Sequence, residues 1–471
     1  MVSKASELFL EGNRHLSEGD NPKAEACFRE ALRLMPDFAE AHTNLGMLLD
    51  QRGMPEEAEH HYLRSLALDP AHGETHMNLG ALLAGRKRFD EAEAAYRKAL
   101  ELMPDSPAAW SNLGALQAFR KQEHEAERSY RRAIELDPGN ASAHFNLSYL
   151  LLRQGRFDEG WYCLEKRRWY VRLEEKLPCP RWGGEPLEGR TLLIGLEAGH
   201  GDMIQFCRYA SVLKAGGASR IEMICHPALK TLFTTLKGVD AVFAADEDFV
   251  TQGWDFWTPP LSMPYHCQTR LDSIPADIPY LRADRELSER WSSLLSGKCR
   301  PSDVRVGLVW KGNSRFENDA DRSLPGLSTL EPLGTVPGVR FFSLQKGAGE
   351  DEAASPPSGL PLVNLGVKIS DFADTAAIVA NLDLIISVDT AVAHLAGAMG
   401  RDCWVLLPDY MTDWRWMAGR TDSPWYPSVM RLFRQPRMGD WATVAADVRE
   451  ALMKLASAPR RDRTLEVCTV P

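Results

Sequence analysis

Three short segments carry residue types whose spacing suits the chemistry of a phosphate-bearing substrate. In Gly199-His200-Gly201-Asp202, an aspartate ends a glycine loop that follows an apolar run, Thr191 to Leu196. The glycines permit a tight strand-to-helix turn with close backbone approach to a ligand. Open α/β sheets place ligands at that carboxyl edge, and a carboxylate there could take a proton from an acceptor hydroxyl. The same Asp202, followed by Gln205, also fits a helix N-cap with a capping box. The helix dipole would then hold the carboxylate charged and weaken it as a base. Glu197 is a second carboxylate in the loop, suited to bracing as well as to catalysis.

The second segment is Ser387-Val388-Asp389-Thr390-Ala391-Val392-Ala393-His394. A strand ends and a helix begins at Thr390, so free N–H groups there could hold a phosphate. Thr390 and His394 are four apart and share a helix face. The alternative is a simple N-cap at Thr390 and a packed core histidine at His394. The third segment is Trp310-Lys311-Gly312-Asn313, continued by Asn318, Asp319, Arg322 and Ser323. Lys311 could meet a diphosphate as a point charge and Arg322 as a fork. A solvated charged loop is the competing reading. Asp413-Trp414-Arg415-Trp416 and Trp425-Tyr426-Pro427 are dense in aromatics and read as a structural brace. The triplets Asp246–Asp248 and Asp319–Asp321 resemble divalent-ion ligand pairs, but both lie in charged loops, and no obligatory metal is expected.

Positioning these groups requires strands that alternate with helices. The apolar run at 191–196 and the segments 221–225, 241–243, 304–310, 339–344, 384–388 and 403–407 read as strands. Helical patterns lie at 203–214, 372–380, 390–399 and 443–455. Alternation implies parallel sheets, and a polar break near residue 300 divides them into two Rossmann-like lobes facing a cleft. Pro- and Gly-rich residues 173–190 read as a linker anchored by Trp182.

The first third of the chain is different. Gly12, Gly46, Gly80 and Gly114 lie 34 residues apart, as do Ala24, Ala58, Ala92 and Ala126, and Pro36, Pro70, Pro104 and Pro138. A fixed period of this length marks a repeat array, with two helices in each unit. Residues 5–38, 39–72, 73–106 and 107–140 fit. A fifth unit, 141–174, is degraded: Ser148 replaces the glycine, Gly160 the alanine, and Arg167 sits where a small residue is expected. Asn44, Asn78, Asn112 and Asn146 recur at position 6. Asparagine is a mediocre helix former, and a column of amides can hydrogen-bond an extended peptide backbone without reading its side chains. They could equally satisfy helix ends.

Composition excludes several classes. A net charge of −10 argues against general nucleic-acid binding. Nine scattered cysteines without a CxxC pair argue against a disulfide framework or a zinc cluster. The start, Met-Val-Ser-Lys-Ala-Ser-Glu, lacks an apolar signal core, and Leu382 to Gly400 is interrupted by Asp383, Asp389 and His394. A cytoplasmic protein with no transmembrane segment is expected.

The 34-residue pattern resembles the tetratricopeptide repeat. In that family position 6 faces the concave groove, and in the eukaryotic O-linked N-acetylglucosamine transferases such an asparagine ladder holds peptide substrates. The blocks "LLIGLEAGHGDMIQFCRYASVL", "VGLVWKGNSRFENDADRSLPGL", "FADTAAIVANLDLIISVDTAVAHLAGAMG" and "LLPDYMTDWRWMAGRTDSPWYPSVMRLFRQP" resemble the C-terminal region of bacterial tetratricopeptide-repeat glycosyltransferases, similar to the family 9 heptosyltransferases with a GT-B fold. The resemblance implies an aspartate base at Asp202 and a nucleotide-diphosphate site at the Asp389–His394 block. It further implies a nucleotide-sugar donor and a flagellin-like or surface-protein client. The expected organisation is an α-solenoid at 1–174, a linker at 175–190, an acceptor-side lobe at 191–300, a donor-side lobe at 301–460 and a tail at 461–471. The expected activity is inverting sugar transfer to a protein held by the repeats. Its rivals are transfer to a lipid-linked envelope saccharide and a non-catalytic repeat scaffold.

Overall fold

The structure is a computed structural model that describes residues 2–458 apart from 169, 171–173, 176, 249–252, 317 and 410. The expected tail at 461–471 and Lys176 of the expected linker lie outside the described residues. The chain forms two compact units, Met1–Leu150 and Leu151–Pro471. The repeat pattern put the end of the array at 174, whereas this division falls inside the fifth helix pair.

The first unit is a helical repeat solenoid. Its helices are α1 (Val2–Ser17), α2 (Asn21–Leu34), α3 (Ala39–Gln51), α4 (Pro55–Leu68), α5 (Gly73–Gly85), α6 (Phe89–Leu102), α7 (Pro107–Phe119) and α8 (Glu123–Leu136), followed by α9 (Ala141–Arg153), which carries the chain across the division. The glycine column exists because an aromatic ring lies on it. A Cβ at Gly12, Gly46, Gly80 or Gly114 would stand 2.6–2.8 Å from the ring of Phe28, Tyr62, Tyr96 or Tyr130. Ala24, Ala58, Ala92 and Ala126 are fully buried at the same contact. Each second helix stops before its proline, whose preceding residue disfavours helical backbone. The proline carbonyl then has a second use. Ring nitrogens of His42, His76 and His144 and the indole N–H of Trp110 lie 3.0, 3.1, 3.2 and 2.9 Å from the carbonyls of Pro36, Pro70, Pro138 and Pro104. Position 4 thus fastens α3, α5, α7 and α9 to the turn before each. Successive first helices also touch, α3 with α5 and α5 with α7.

The second unit opens with α10 (Phe157–Leu164) and holds two sheets. Its strands are β1 (Thr191–Ile194), β2 (Arg220–Cys225), β3 (Ala241–Ala244), β4 (Phe256–Thr258), β5 (Val304–Val309), β6 (Val339–Ser343), β7 (Leu362–Asn364), β8 (Leu384–Val388), β9 (Cys403–Leu407) and β10 (Met430–Arg434). The first sheet has the order β3-β2-β1-β4 and the second β10-β9-β8-β5-β6-β7. Every strand pairing in both is parallel. Counted from its own first strand, each sheet therefore runs 3-2-1-4, and the second continues to 6. That order has a switch point between strands 1 and 4, where doubly wound sheets bind ligands. It falls at the loops after β1 and β4 in one sheet and after β5 and β8 in the other.

The expected linker contributes structure of its own. Arg181 bridges to Trp257 beside β4, and Trp182 is buried. The expected helix over 203–214 is two short helices, His200–Phe206 and Tyr209–Ala215. The polar stretch read as a break carries the helix Arg285–Ser296, whose Trp291 is buried with its indole N–H on Asp374 at 3.0 Å.

Candidate functional site

The loops at the two switch points meet. The helix His200–Phe206 follows β1 and packs on the helix Ala391–Ala398, which follows β8. Glycine at 201 is a condition of that approach: a Cβ there would lie 2.9 Å from His394 Cδ2 and 3.5 Å from the Ala391 Cα. Gly199 is the N-cap of its helix and Asp202 sits at the third position within it, so Asp202 is not the cap expected from sequence. Its Oδ2 accepts the Gly199 N–H at 2.9 Å, and Oδ1 accepts from Arg415 Nη2. Burial pushes the Asp202 carboxyl above its ordinary range, with Arg415 and the Gly199 N–H pulling against it. The side chain keeps 24% of its surface exposed, so solvent moderates that push.

Glu197 has a different task. It is buried, with Arg167 Nε at 2.6 Å from Oε1, and Arg167 Nη2 and the Leu261 N–H at 3.0 and 3.1 Å from Oε2. A carboxylate held on both oxygens is a brace for the β1 loop, so Glu197 is set aside as a base. Arg167, which breaks the repeat pattern, is the other half of that brace.

At the second sheet, Thr390 caps the helix Ala391–Ala398 without a side-chain hydrogen bond to it; its Oγ1 lies 2.9 Å from Ser387 Oγ. His394 is buried. Its Nδ1 lies 2.8 Å from Tyr426 Oη, its Nε2 is 4.0 Å from Asp389 Oδ1, and its ring stacks on Trp416 at 5.2 Å and 21°. Burial holds His394 well below the usual imidazole range, and Arg415, Arg208 and Arg322 reinforce this. Asp389 is pushed up to about 6, first by burial and then by Asp413, against the pull of Arg322 and Arg415.

The loop after β5 is tied to itself. The Gly312 N–H donates to Ser323 Oγ at 2.8 Å, Ser323 Oγ donates to Asp319 Oδ1 at 3.0 Å, and Arg322 Nε reaches the same oxygen at 3.2 Å. Asn313 accepts the Arg315 N–H at 3.1 Å, and Lys311 Nζ donates to the Pro325 carbonyl at 2.8 Å. Buried Gln345 fixes the loop's start by accepting the Trp310 and Lys311 N–H groups at 2.9 and 3.0 Å. The structure thus brings Gly199, Gly201, Asp202, Asp389, Ala391 and His394 together. Lys311, Asn313, Arg322 and Ser323 form a neighbouring loop that reaches Asp389 through the charge of Arg322.

Sequence reasoning missed Arg415. It is buried, donates Nε to Gln205, Nη2 to Asp202, and Nη1 to both oxygens of Asp413 at 3.0 and 3.1 Å. The aromatic segment is therefore a brace with charged groups at its tip, ending on Asp202. The density of charge and aromatics between 413 and 426 was the available signal.

Asn44, Asn78, Asn112 and Asn146 are half-buried on the first helices of their pairs. Asn44 Nδ2 donates to Asn13 Oδ1 at 2.7 Å, whereas the other three amides make no hydrogen bond among the described residues. Asp246 and Asp248 are exposed, and Asp319 is buried on Ser323 and Arg322. Among the described residues, the grouping able to offer three metal ligands is Glu11, His15 and Cys27 in the repeat unit. No helix among them is long and apolar enough to cross a membrane.

Tetratricopeptide-repeat family matches cover residues 9–72, 72–139 and 129–162. The N-terminal region is an array of these repeats, a type that commonly binds protein partners. The chain is 28% identical over 337 residues to protein FlbA of Caulobacter vibrioides, covering 66% of this chain and 54% of that protein. It therefore spans about half the length of this curated relative, and the likeness extends beyond the repeats into the sheets. Among solved structures, PilF of Pseudomonas aeruginosa is 22% identical, covering 35% of this chain and 75% of that one with a TM-score of 0.33. MamA of Desulfovibrio magneticus RS-1 is 22% identical, covering 36% and 94% with a TM-score of 0.30.

Proposed function

We propose that this chain is a glycosyltransferase that moves a sugar from a nucleotide-activated donor to a protein client selected by the repeats. The observation that carries the reading is the meeting of two switch points, with Gly201 packed on Ala391 and His394. It sets a carboxylate, Asp202, beside a helix N-terminus whose cap leaves its N–H groups to a ligand. In the transfer, an acceptor oxygen bonds to the anomeric carbon as the bond to the diphosphate breaks. The bonding pair leaves with the diphosphate and the acceptor proton goes to Asp202. The N–H groups after Thr390, with His394, Lys311 and Arg322, stabilise the departing charge. The free amides of Asn78, Asn112 and Asn146 hold an extended client, of the flagellin or surface-protein kind that the resemblance implies. A second reading, a nucleotide-binding scaffold without turnover, has one observation in its favour: Arg415 already occupies Asp202.

The test has two arms. ADP, GDP or UDP should raise the melting temperature by linkage, with and without EDTA, and Lys311→Ala and His394→Ala should lose much of that shift. Mass spectrometry of clients co-expressed with the chain should show added sugar. No shift with any of the three at millimolar concentration would sink the donor site; a shift without transfer would favour the scaffold.

A further inference from the structure

Behind His394 lies a buried group that neither role above uses. Arg208 is 2% exposed. Its Nε donates to the Gln205 carbonyl at 2.9 Å, Nη1 to the Pro275 and Trp425 carbonyls at 3.1 and 2.8 Å, and Nη2 to Tyr280 Oη at 2.9 Å. Its partners are thus neutral oxygens. The guanidinium lies over the rings of Tyr280 and Tyr426, 4.6 and 4.9 Å from their centroids. A buried cation needs a reason, because desolvation is costly and carbonyl bonds offset it only in part.

The hydroxyl protons supply the reason. Tyr280 receives the Arg208 N–H and donates to the Ile204 carbonyl at 3.1 Å. Tyr426 Oη lies 2.8 Å from His394 Nδ1, and the Tyr280 hydroxyl is its other polar neighbour. Tyr280 spends its proton on Ile204, and the Asp389 carboxylate on the Nε2 side of the ring draws the imidazole hydrogen there, so Tyr426 donates and Nδ1 accepts. The nearby cation strengthens a phenol as a donor and opposes a charged imidazole. A neutral ring that accepts at Nδ1 carries its hydrogen at Nε2. Nε2 is 4.0 Å from Asp389 Oδ1 and 3.7 Å from where a Cβ of Gly201 would stand, so it faces the junction of the two loops. Arg415, Arg322 and Arg208 surround the ring with positive charge, and Asp389 is the carboxylate on its far side.

We propose that Tyr426, backed by Arg208, is a positioning residue that holds His394 as the neutral Nε2–H tautomer, so that this N–H is offered to an oxygen of the donor diphosphate. The inference rests on the transferase reading only for its ligand. A neutral donor at this point serves release: it hydrogen-bonds the diphosphate without adding a full charge that would retain the product.

The tautomer can be read directly. In the full chain labelled with 15N-histidine, long-range proton–nitrogen spectra assign His394 by its absence in His394→Gln. At pH 7 the wild type should show hydrogen on Nε2 and none on Nδ1. Tyr426→Phe should bring in the Nδ1–H form and weaken binding of ADP, GDP or UDP by about 3- to 10-fold, the usual size of one hydrogen bond to a charged group lost in part. Tyr280→Phe removes a hydroxyl that meets Tyr426 and Arg208 and does not touch His394, and should leave the tautomer unchanged. An Nδ1–H or doubly protonated ring in the wild type overturns the proposal, as does the same change in both variants. If the tautomer is as stated and none of the three nucleotides binds, the donor site falls and the ligand assigned here falls with it. If a nucleotide binds and the tautomer is otherwise, this inference alone fails.

Discussion

Asp202→Asn separates a catalytic carboxylate from a structural one. The aspartate makes two hydrogen bonds, from the Gly199 N–H to Oδ2 and from Arg415 to Oδ1. Asparagine has one oxygen, so its NH2 group must face one of these donors, and one hydrogen bond is lost. Arg415 is not orphaned, because Asp413 holds its Nη1 at 3.0 and 3.1 Å and Gln205 accepts from its Nε. The cost should therefore fall near that of a single unmet hydrogen bond, about 1–2 kcal/mol, and not the ~3–5 kcal/mol of an abandoned buried charge. For a unit of this size that is a melting-temperature loss of a few degrees. Nucleotide binding should survive.

The effect on transfer should be far larger. Asparagine cannot accept the acceptor proton, and general-base removal lowers rates by about 10²–10⁴-fold. The assay is release of nucleoside diphosphate from the donor in the presence of a client identified by mass spectrometry, alongside thermal melts and calorimetric binding. Arg415→Ala and the double variant complete the cycle. If Asp202 matters only as a latch for Arg415, the single variants should lose equal activity and the double variant no more. If Asp202 is the base, Asp202→Asn should cost much more than Arg415→Ala. Transfer near the wild-type rate in Asp202→Asn would refute the assignment outright, and Glu197, held on both oxygens, does not stand ready to replace it.

Changing Asn78 and Asn112 together to alanine should weaken client binding by about tenfold, two modest hydrogen bonds, with folding and nucleotide binding intact; unchanged affinity in a titration would remove the ladder. Asp389, pushed up to about 6 from 3.8, keeps its proton in the fold between those values while the unfolded chain has lost it. Its stabilisation therefore declines as pH rises through that window, and Asp389→Asn should gain melting temperature relative to wild type between pH 4.5 and 7; a constant difference would contradict this. His61 is held down to about 4 by burial and by His42 and His60, so the unfolded chain binds its proton first as pH falls below 6.5. At pH 5 the loss is up to about 2 kcal/mol, and His61→Ala, the residue at the equivalent position 95, should reduce the acid sensitivity of the repeat unit. Equal acid sensitivity in both proteins would exclude His61 as its source.

How legible each part was depended on the range of the forces that build it. The repeats were readable because one local contact, a glycine under an aromatic ring, recurs at a fixed spacing. The strands β8 and β9 were readable as nearly continuous apolar runs, because strands buried on both faces need no alternation. The strands β4, β7 and β10 went unread. Each lies at a sheet edge; β4 and β7 are three residues long, and β10 alternates Met430, Arg431 and Leu432 between burial and exposure. Asp202, Asp389 and His394 were readable because glycine loops and strand–helix junctions are local features. Arg415 was not, because its meaning lies in Asp202, 213 residues away. Tyr426 and Arg208 share that difficulty: no spacing rule links a tyrosine after a proline-rich turn to a histidine on a helix.

The degraded fifth repeat shows how such distant pairings leave a trace in sequence. Its departures are substitutions toward particular partners. Arg167, where a small residue was expected, forks Glu197 and fixes the β1 loop that carries Asp202. Trp161, on the same helix pair, donates its indole N–H to the Thr269 carbonyl at 2.9 Å and meets Trp414 and Trp425 edge-on at 5.3 and 6.3 Å. Phe157 stacks on Trp425 at 6.1 Å. Trp414 immediately precedes Arg415, and Trp425 immediately precedes Tyr426. One side of α10 thus braces the segment that holds Asp202 and orients His394, while the residues just after it brace the β1 loop. A repeat whose consensus positions pack on another repeat cannot do this. Loss of the consensus at 160–167 follows from α10 belonging to the sheet unit, which is why the compact division falls at Leu150 and not at the end of the 34-residue pattern.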